Sequence, residues 1–236
     1  MLNKAQHRRI MGQILKDIFS DIFLAPIMGF KGGTCAAFFY DLSRPSVDLD
    51  FDLFKVDEGT QKIVFEKILK IAQNYGKIKN SYIKYHTIFI LLSYGEKDHN
   101  IKIETNTRLD PANSKDYFVP KEYLGITILV PVKDYMFANK LVALTTRLRV
   151  VNRDIYDIWY FAKSNWDIDV EIIKHKTGKD LSSYLNDCIQ VIEKVKDNEI
   201  LQGLGELLDE KEKIWVKSHL RKEAIFQLKN YLAALK

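Results

Sequence analysis

The sequence predicts an α+β fold, with a mixed α/β domain at residues 1–130 followed by a helical bundle at residues 131–236. Three observations lead to this prediction. Helix-like and strand-like patterns alternate in the first half, the strand patterns end at Pro131, and only helical periodicity follows. The hydrophobic content of 47% over 236 residues also supplies enough apolar side chains for one large domain or two modest ones.

The individual elements follow from the spacing of apolar residues. Helical spacing in the first half predicts helices at 4–20, 33–41 and 60–75. Alternating or continuous apolar runs predict strands at 22–30, 46–54, 79–85, 87–94, 99–105 and 126–130. In the second half, helical spacing predicts helices at 133–149, 153–163, 180–196, 198–208 and 210–234.

Composition limits the classes of protein that fit. No apolar run approaches the roughly 18 residues of a membrane span, so we expect a cytoplasmic protein without a membrane partner. Cys35 and Cys188 lie far apart and the histidines are scattered, which disfavours a disulfide framework or a zinc site. Any bound metal is therefore expected to be held by carboxylates, as Mg²⁺ commonly is.

The formal net charge is +5, and residues 211–236 alone contain seven Lys and Arg against two Asp and Glu. A basic helix in this segment would suit contact with nucleic-acid phosphates. The ordinary alternative is a solvated lysine-rich face, which the sequence alone leaves open.

The segment SVDLDFDLF carries the most informative pattern, because acidic and apolar residues alternate strictly. In a strand, Asp48, Asp50 and Asp52 share one face and apolar residues fill the other. Two carboxylates about 5 Å apart repel by roughly 3 kcal/mol at an effective dielectric near 20. A shared divalent cation would turn this repulsion into ligation, whereas a solvated edge strand would simply tolerate it.

A glycine turn precedes this strand. Gly32, Gly33 and Thr34 follow the apolar segment FLAPIMGF and open a helical pattern. Bare backbone N–H groups and a hydroxyl at a helix N-terminus form an anion site, although a Gly-Gly pair also marks an ordinary tight turn. The turn and the paired aspartates together predict a phosphate site beside a metal site.

These motifs resemble the polymerase-β-like nucleotidyltransferase superfamily, and more specifically the AbiEii/AbiGii toxin family. GGT, RPSVDLDF, KLVALTTR and RDIYDI occur in the order typical of that family and cover most of the chain. The resemblance implies a polymerase-β-like nucleotidyltransferase domain, two Mg²⁺ ions and a nucleoside triphosphate as substrate. It also implies transfer of a nucleotide to RNA, especially tRNA, and a cognate antitoxin as partner.

The same resemblance directs attention to supporting residues near the metal strand. A third carboxylate is usual on a neighbouring strand, and Glu104 in NIKIETN is the candidate, with a surface Glu beside Lys102 as the alternative. Arg44 and Ser46 precede the metal strand, where they would reach a triphosphate. Arg44 would equally stabilise the turn by pairing with Asp41.

Further candidates lie in the second half of the chain. Lys140 and Arg147 are two turns apart on one helix, which is typical of a solvated basic face. The toxin family implies instead that Lys140 grips the nucleotide phosphates, with Arg147 beside it. In RDIYDI, we favour Asp157 over Asp154 as the functional carboxylate, orienting Lys140 or acting as a base, and the sequence does not decide between them.

The predicted catalytic set is therefore Asp48, Asp50, Glu104, Lys140 and Asp157. Asp48, Asp50 and Glu104 are predicted to bind metal, and the predicted nucleotide-binding residues are Gly32, Gly33, Thr34, Arg44, Ser46, Lys140 and Arg147. The helical bundle is expected to contribute to the active-site cleft. Two alternatives stay open: a nucleotidyltransferase for a small molecule or a protein, and a non-catalytic module that binds nucleotide or RNA.

Overall fold

A five-stranded mixed sheet organises the first half of the computed structural model, which describes residues 4–95, 99–108, 110 and 114–235. The chain divides into two compact units, Met1–Val132 and Lys133–Lys236. The mixed sheet in the first unit and the helices in the second confirm the predicted α+β class. No helix among the described residues is long and apolar enough to cross a bilayer.

The N-terminal unit contains three α-helices, a short 3-10 helix at Lys115–Tyr117 and seven strands within its described residues. The helices are α1 (Lys4–Ser20), α2 (Gly32–Phe39) and α3 (Glu58–Gln73). The strands are β1 (Met28–Lys31), β2 (Asp48–Leu53), β3 (Lys77–Lys84), β4 (Thr87–Ser93), β5 (Asn100–Asn106), β6 (Phe118–Tyr123) and β7 (Ile126–Pro131).

The order of strands in the main sheet is β1-β2-β5-β4-β3, so β5 is the central strand. Only the β2–β5 pair is parallel among the four described pairings, and its register sets Asp48 beside Lys102 and Asp50 beside Glu104. Side chains alternate across a strand, and the opposite face of these two strands is apolar and buried. On that face Phe51 contacts Phe19 of α1, with ring centroids 6.3 Å apart.

Strand β1 is shorter than the predicted strand at 22–30. Residues 21–27 form turns instead, because the Asp21 carboxylate accepts hydrogen bonds from the backbone N–H groups of Phe23 and Leu24 at 2.8 and 3.1 Å. Pro26 also lacks the N–H that a paired strand would use. The hairpin β6–β7 was predicted only in its second strand, since Pro120, Lys121 and Glu122 weaken the strand pattern of β6.

The C-terminal unit is helical throughout its regular elements. Its helices are α4 (Lys133–Thr146), α5 (Asn152–Lys163), α6 (Val170–Thr177), α7 (Leu181–Glu193), α8 (Glu210–Trp215) and α9 (Arg221–Ala234), with a π-helical turn at Val216–Leu220. An aromatic cluster lies in its core: Phe161 stacks on Trp166 at 4.1 Å and meets Phe137 edge-on at 5.8 Å.

One prediction for this unit is wrong, and one helix was not predicted. The segment 198–208 forms successive turns and a short 3-10 helix at Gly205–Leu207 rather than an α-helix. Its apolar residues have helical spacing, but Gly203 adopts a left-handed φ of +67°, which interrupts an α-helix. Helix α6 was not predicted, although Asp169 caps it by accepting a hydrogen bond from the N–H of Ile172 at 3.0 Å.

Candidate active site

Three carboxylates, Asp48, Asp50 and Glu104, lie on the polar face of β2 and β5, which we call the acidic face. Strand alternation places Asp48 and Asp50 on one side of β2, and the parallel register brings Glu104 next to Asp50. The side chains of Asp48 and Glu104 are 20% and 36% exposed, so the acidic face is open to solutes. The structure therefore places on one face the three residues that the sequence predicted as metal ligands.

The charge of this face is only partly balanced. The Lys102 ammonium lies 3.5 Å from an Asp48 carboxylate oxygen and 3.1 Å from a Glu104 carboxylate oxygen. Burial raises the pKa of the Asp50 carboxyl, and the Asp48 carboxylate raises it further. Burial opposes the charge on Lys102, but Asp48, Glu104 and Asp50 together raise the pKa of its ammonium. Lys102 thus faces three acids that repel each other, and the charge of Lys31 also lowers the pKa of Asp50.

The glycine turn packs directly against the acidic face. Gly32 has a left-handed φ of +78°, and a Cβ at this position would collide with the Asp50 carboxylate. A Cβ on Gly33 would lie 2.6 Å from the Arg44 Nη2 and 3.2 Å from the Ser46 hydroxyl oxygen. The start of α2 is therefore next to Asp50 on one side and next to Arg44 and Ser46 on the other. Phosphate binding at this turn stays a prediction.

Two side chains fix the backbone that leads into the acidic face. Thr34 is buried, and its hydroxyl donates a hydrogen bond to the carbonyl of Asp48. Phosphate binding by Thr34 stays a prediction, but its single hydroxyl proton is directed to this carbonyl. The second side chain is His7 of α1, whose Nε2 lies 3.1 Å from the carbonyl of Val47.

His7 was not singled out by sequence reasoning. Because a carbonyl only accepts, its Nε2 carries the proton, and Nδ1 then accepts from the Tyr94 hydroxyl at 2.5 Å. Burial lowers the pKa of His7, although the bond to Val47 and the charge of Asp48 oppose this. The available signal was a histidine on the apolar stripe of α1, in line with Met11, Ile14, Leu15 and Ile18.

Asp52 belongs to the same row of aspartates but differs in its contacts. It is 1% exposed, pairs with the Lys31 ammonium at 2.5 Å, and accepts a hydrogen bond from the Asn106 amide at 2.8 Å. These contacts engage its Oδ1 and keep the side chain away from solvent. These contacts distinguish Asp52 from Asp48 and Asp50. The sequence pattern alone does not show this difference.

A second charged cluster lies within the C-terminal unit, and we call it the Lys140 cluster. The Lys140 ammonium of α4 contacts the carboxylates of Asp154 at 2.9 Å and Asp157 at 3.0 Å, both on α5. Arg147 contacts Asp154 at 3.1 Å. The Asp157 side chain is fully buried. Asp154 contacts the same ammonium, so these contacts do not decide which of the two aspartates is the functional one.

The donor atoms of the acidic face suit a hard divalent cation, since they are carboxylate oxygens. Among the described residues, no three His, Cys, Asp or Glu side chains converge closely enough to hold a metal ion as they stand. The ammonium of Lys102 contacts both Asp48 and Glu104. The ligand chemistry therefore fits Mg²⁺, and a positive group already lies between two of the ligands.

The profile of the family described as "Nucleotidyl transferase AbiEii toxin, Type IV TA system" matches residues 13–213. The chain belongs to the AbiEii family. This match confirms the resemblance that the motifs predicted. It makes nucleotidyl transfer the activity class of this AbiEii chain and toxin–antitoxin systems its functional setting.

Several solved structures share the fold of this chain. A nucleotidyltransferase structure from H. pylori is 20% identical with a TM-score of 0.63, covering 100% of this chain and 99% of the other. JHP933 from Helicobacter pylori is 19% identical with a TM-score of 0.60, covering 100% and 97%. MenT4, a nucleotidyltransferase toxin from Mycobacterium tuberculosis H37Rv, is 16% identical with a TM-score of 0.53, covering 99% and 93%. A comparison with curated proteins finds no significant match.

Proposed function

We propose that this AbiEii chain transfers a nucleoside monophosphate from a nucleoside triphosphate to an RNA hydroxyl, most specifically on tRNA, with release of pyrophosphate. The reaction is proposed to depend on Mg²⁺ bound by Asp48, Asp50 and Glu104. The type IV toxin–antitoxin description of the family supports a cognate antitoxin as partner and a cytoplasmic site of action.

The contact of Gly32 with Asp50 is the observation that supports this proposal most strongly. A turn whose backbone N–H groups suit phosphate and a carboxylate that suits Mg²⁺ lie against each other, with Glu104 as the next residue in register. A nucleoside triphosphate with its cation needs both features in one place. An unrelated tight turn has no reason to lie against a carboxylate row.

The residues of the acidic face would have distinct tasks. Asp48, Asp50 and Glu104 would hold two Mg²⁺ ions, which supply charge neutralisation at the phosphates and lower the pKa of the acceptor hydroxyl. Arg44 and Ser46, next to Gly33, would donate hydrogen bonds to phosphate oxygens. Gly32 and Gly33 would let the phosphates approach the start of α2 without obstruction by a side chain.

The Lys140 cluster is assigned a supporting task by the family resemblance. Lys140 and Arg147 are proposed to neutralise phosphate charge, and Asp157 is proposed to hold the Lys140 ammonium in place. The buried carboxylates of Asp154 and Asp157 support the positioning role, because each contacts that ammonium within 3.0 Å. In these terms Asp157 is a positioning residue rather than a base.

The transfer reaction is tested with each α-labelled nucleoside triphosphate, total RNA, and buffers that contain Mg²⁺ or EDTA. We expect one or more triphosphates to label RNA in Mg²⁺ alone, and Asp48→Ala to remove the label. Glu66→Gln, at an exposed position of α3, is the matched carboxylate control and should label as the wild type does. Label that survives Asp48→Ala would refute the metal-ligand assignment.

The RNA acceptor is supported by the basic charge of residues 211–236. Lys217, Lys222 and Lys229 are exposed there and would contact backbone phosphates. If they do, tRNA affinity falls with rising salt, with a slope of roughly −0.7 to −0.9 per phosphate contacted. Replacing all three by Gln should lower that slope by about 2 to 3.

If the salt dependence of tRNA affinity is unchanged in the triple variant, these lysines form an ordinary solvated face and do not contact RNA. Labelling of a small molecule or a protein in place of RNA would support the alternative transferase. Binding of triphosphate without pyrophosphate release would support the non-catalytic module.

A further inference from the structure

The position of Lys102 between the carboxylates of the acidic face has a consequence for how a metal enters. Its ammonium contacts Asp48 at 3.5 Å and Glu104 at 3.1 Å, which are two of the three proposed metal ligands. The register of β2 and β5 sets Lys102 beside Asp48, so the side chain extends along the same face as the acids. A charged group that contacts two ligands is next to any ion that they would bind.

The second lysine near this face has a different partner. Lys31 lies across from Asp50 in the β1–β2 register, but its ammonium pairs with Asp52 at 2.5 Å. Lys102 therefore contacts two of the proposed metal ligands directly, whereas Lys31 pairs with the buried Asp52 and acts on Asp50 only through its charge. This direct contact identifies Lys102 as the lysine that a bound metal ion would have to displace.

A divalent cation and the Lys102 ammonium would compete for the same oxygens. Carboxylate oxygens bind Mg²⁺ at about 2.1 Å, and an ammonium that stayed beside them would repel the ion without supplying a ligand. The Lys102 side chain is 33% exposed and has a flexible four-carbon stem, so it has room to swing away. Either cation satisfies these carboxylates, but not both in their present positions.

We propose that Lys102 is an internal counter-cation that keeps the acidic face poor in free divalent metal, so that the metal binds together with the nucleotide. This inference rests on the proposed function, since it concerns the same carboxylates. The triphosphate adds negative charge to that of the acidic face, and the displaced ammonium can then pair with a phosphate oxygen. Metal binding and nucleotide binding become mutually dependent through one side chain.

The test measures Mn²⁺ affinity by calorimetry and by the electron paramagnetic resonance signal of free Mn²⁺, without nucleotide. Lys102→Met removes the charge and keeps the length of the side chain, and we expect it to bind Mn²⁺ on the order of tenfold more tightly than the wild type. Lys102→Arg keeps the charge and should bind as weakly as the wild type. Lys79→Met, at an exposed position of β3, is the matched control and should also leave the affinity unchanged.

A second arm adds a non-hydrolysable nucleoside triphosphate analogue. The analogue should raise the Mn²⁺ affinity of the wild type by a larger factor than that of Lys102→Met, because the variant has no ammonium to displace. Asp48→Ala in the Lys102→Met background should abolish the gained affinity. Thermal melting of each variant shows whether it is folded, and Lys102→Gln replaces Lys102→Met if the latter is not.

Equal or weaker Mn²⁺ binding by the charge-removing variants would overturn the inference, as would tight binding that survives Asp48→Ala. The proposed function fails separately, when wild-type protein transfers labelled nucleotide equally well with and without divalent metal. A wild type that requires Mg²⁺ for transfer, together with unchanged Mn²⁺ affinity in Lys102→Met, would reject the role of Lys102 alone.

Discussion

The acidic face of the N-terminal unit and the Lys140 cluster of the C-terminal unit are both groups of ion pairs, but they differ in charge balance and in burial. The acidic face sets Asp48, Asp50 and Glu104 against Lys102, and its side chains are partly exposed. The Lys140 cluster sets two carboxylates, 3% and 0% exposed, against Lys140 and Arg147. An open group with excess charge is suited to binding an ion, whereas a buried and balanced group is suited to holding a side chain.

The largest expected effect separates activity from stability at Asp50. We expect Asp50→Asn to lower the rate of nucleotide transfer about 10³-fold or more, which corresponds to roughly 4 kcal/mol. Its free energy of unfolding at neutral pH should be equal to or higher than that of the wild type. The burial and repulsion that raise the pKa of Asp50 make its ionised form unfavourable in the folded state, and this cost grows as pH rises through that pKa.

Transfer kinetics and urea denaturation in EDTA measure these two quantities. A loss of stability in parallel with the loss of activity would show that Asp50 holds the fold together, and the contrast with the Lys140 cluster would disappear.

The second largest effect is a loss of stability, expected in the Lys140 cluster. Asp157→Ala removes a fully buried carboxylate from the Lys140 ammonium and should lower the free energy of unfolding by about 3 kcal/mol, since a buried charge loses a partner. Urea denaturation of the whole chain measures it. Arg147→Met provides the control: Arg147 is 46% exposed, so the loss of its ion pair should cost less than about 1 kcal/mol.

The smallest expected effect is a change in the pH dependence of stability, and it comes from His7 behind the acidic face. His7 has a lowered pKa, so the folded state disfavours its protonation, and stability should fall as pH drops below the ordinary imidazole value of about 6.5. His7→Gln should remove up to about 1.4 kcal/mol per pH unit of this slope. Unfolding curves from pH 5 to 8 measure it, and an unchanged slope would assign the dependence to other groups.

The sequence predicted the acidic face well because its pattern is local. Alternation of Asp48, Leu49, Asp50 and Phe51 specifies the faces of β2, and the Gly-Gly turn specifies where α2 begins. The partnership of Asp50 with Glu104 needed a prediction of which strands pair, and the family resemblance supplied that where periodicity could not.

Features that depend on long-range contacts were beyond the sequence. Lys102 was visible as a neighbour of Glu104, but its contact with Asp48 arises from the β2–β5 register. Asp52 was indistinguishable from Asp48 and Asp50 until Lys31 and Asn106 were placed beside it. At 198–208 a local pattern was misleading. The apolar spacing favoured a helix, but the backbone conformation of Gly203 interrupts it.

The central position of β5 affects when the acidic face can form during synthesis of the chain. Glu104 follows Asp50 by more than fifty residues, yet they are neighbours in a parallel pair, and β5 joins β2 on one side to β4 on the other. Pairings this distant in sequence form slowly. A nascent chain therefore cannot bring Asp50 and Glu104 together until β5 has left the ribosome.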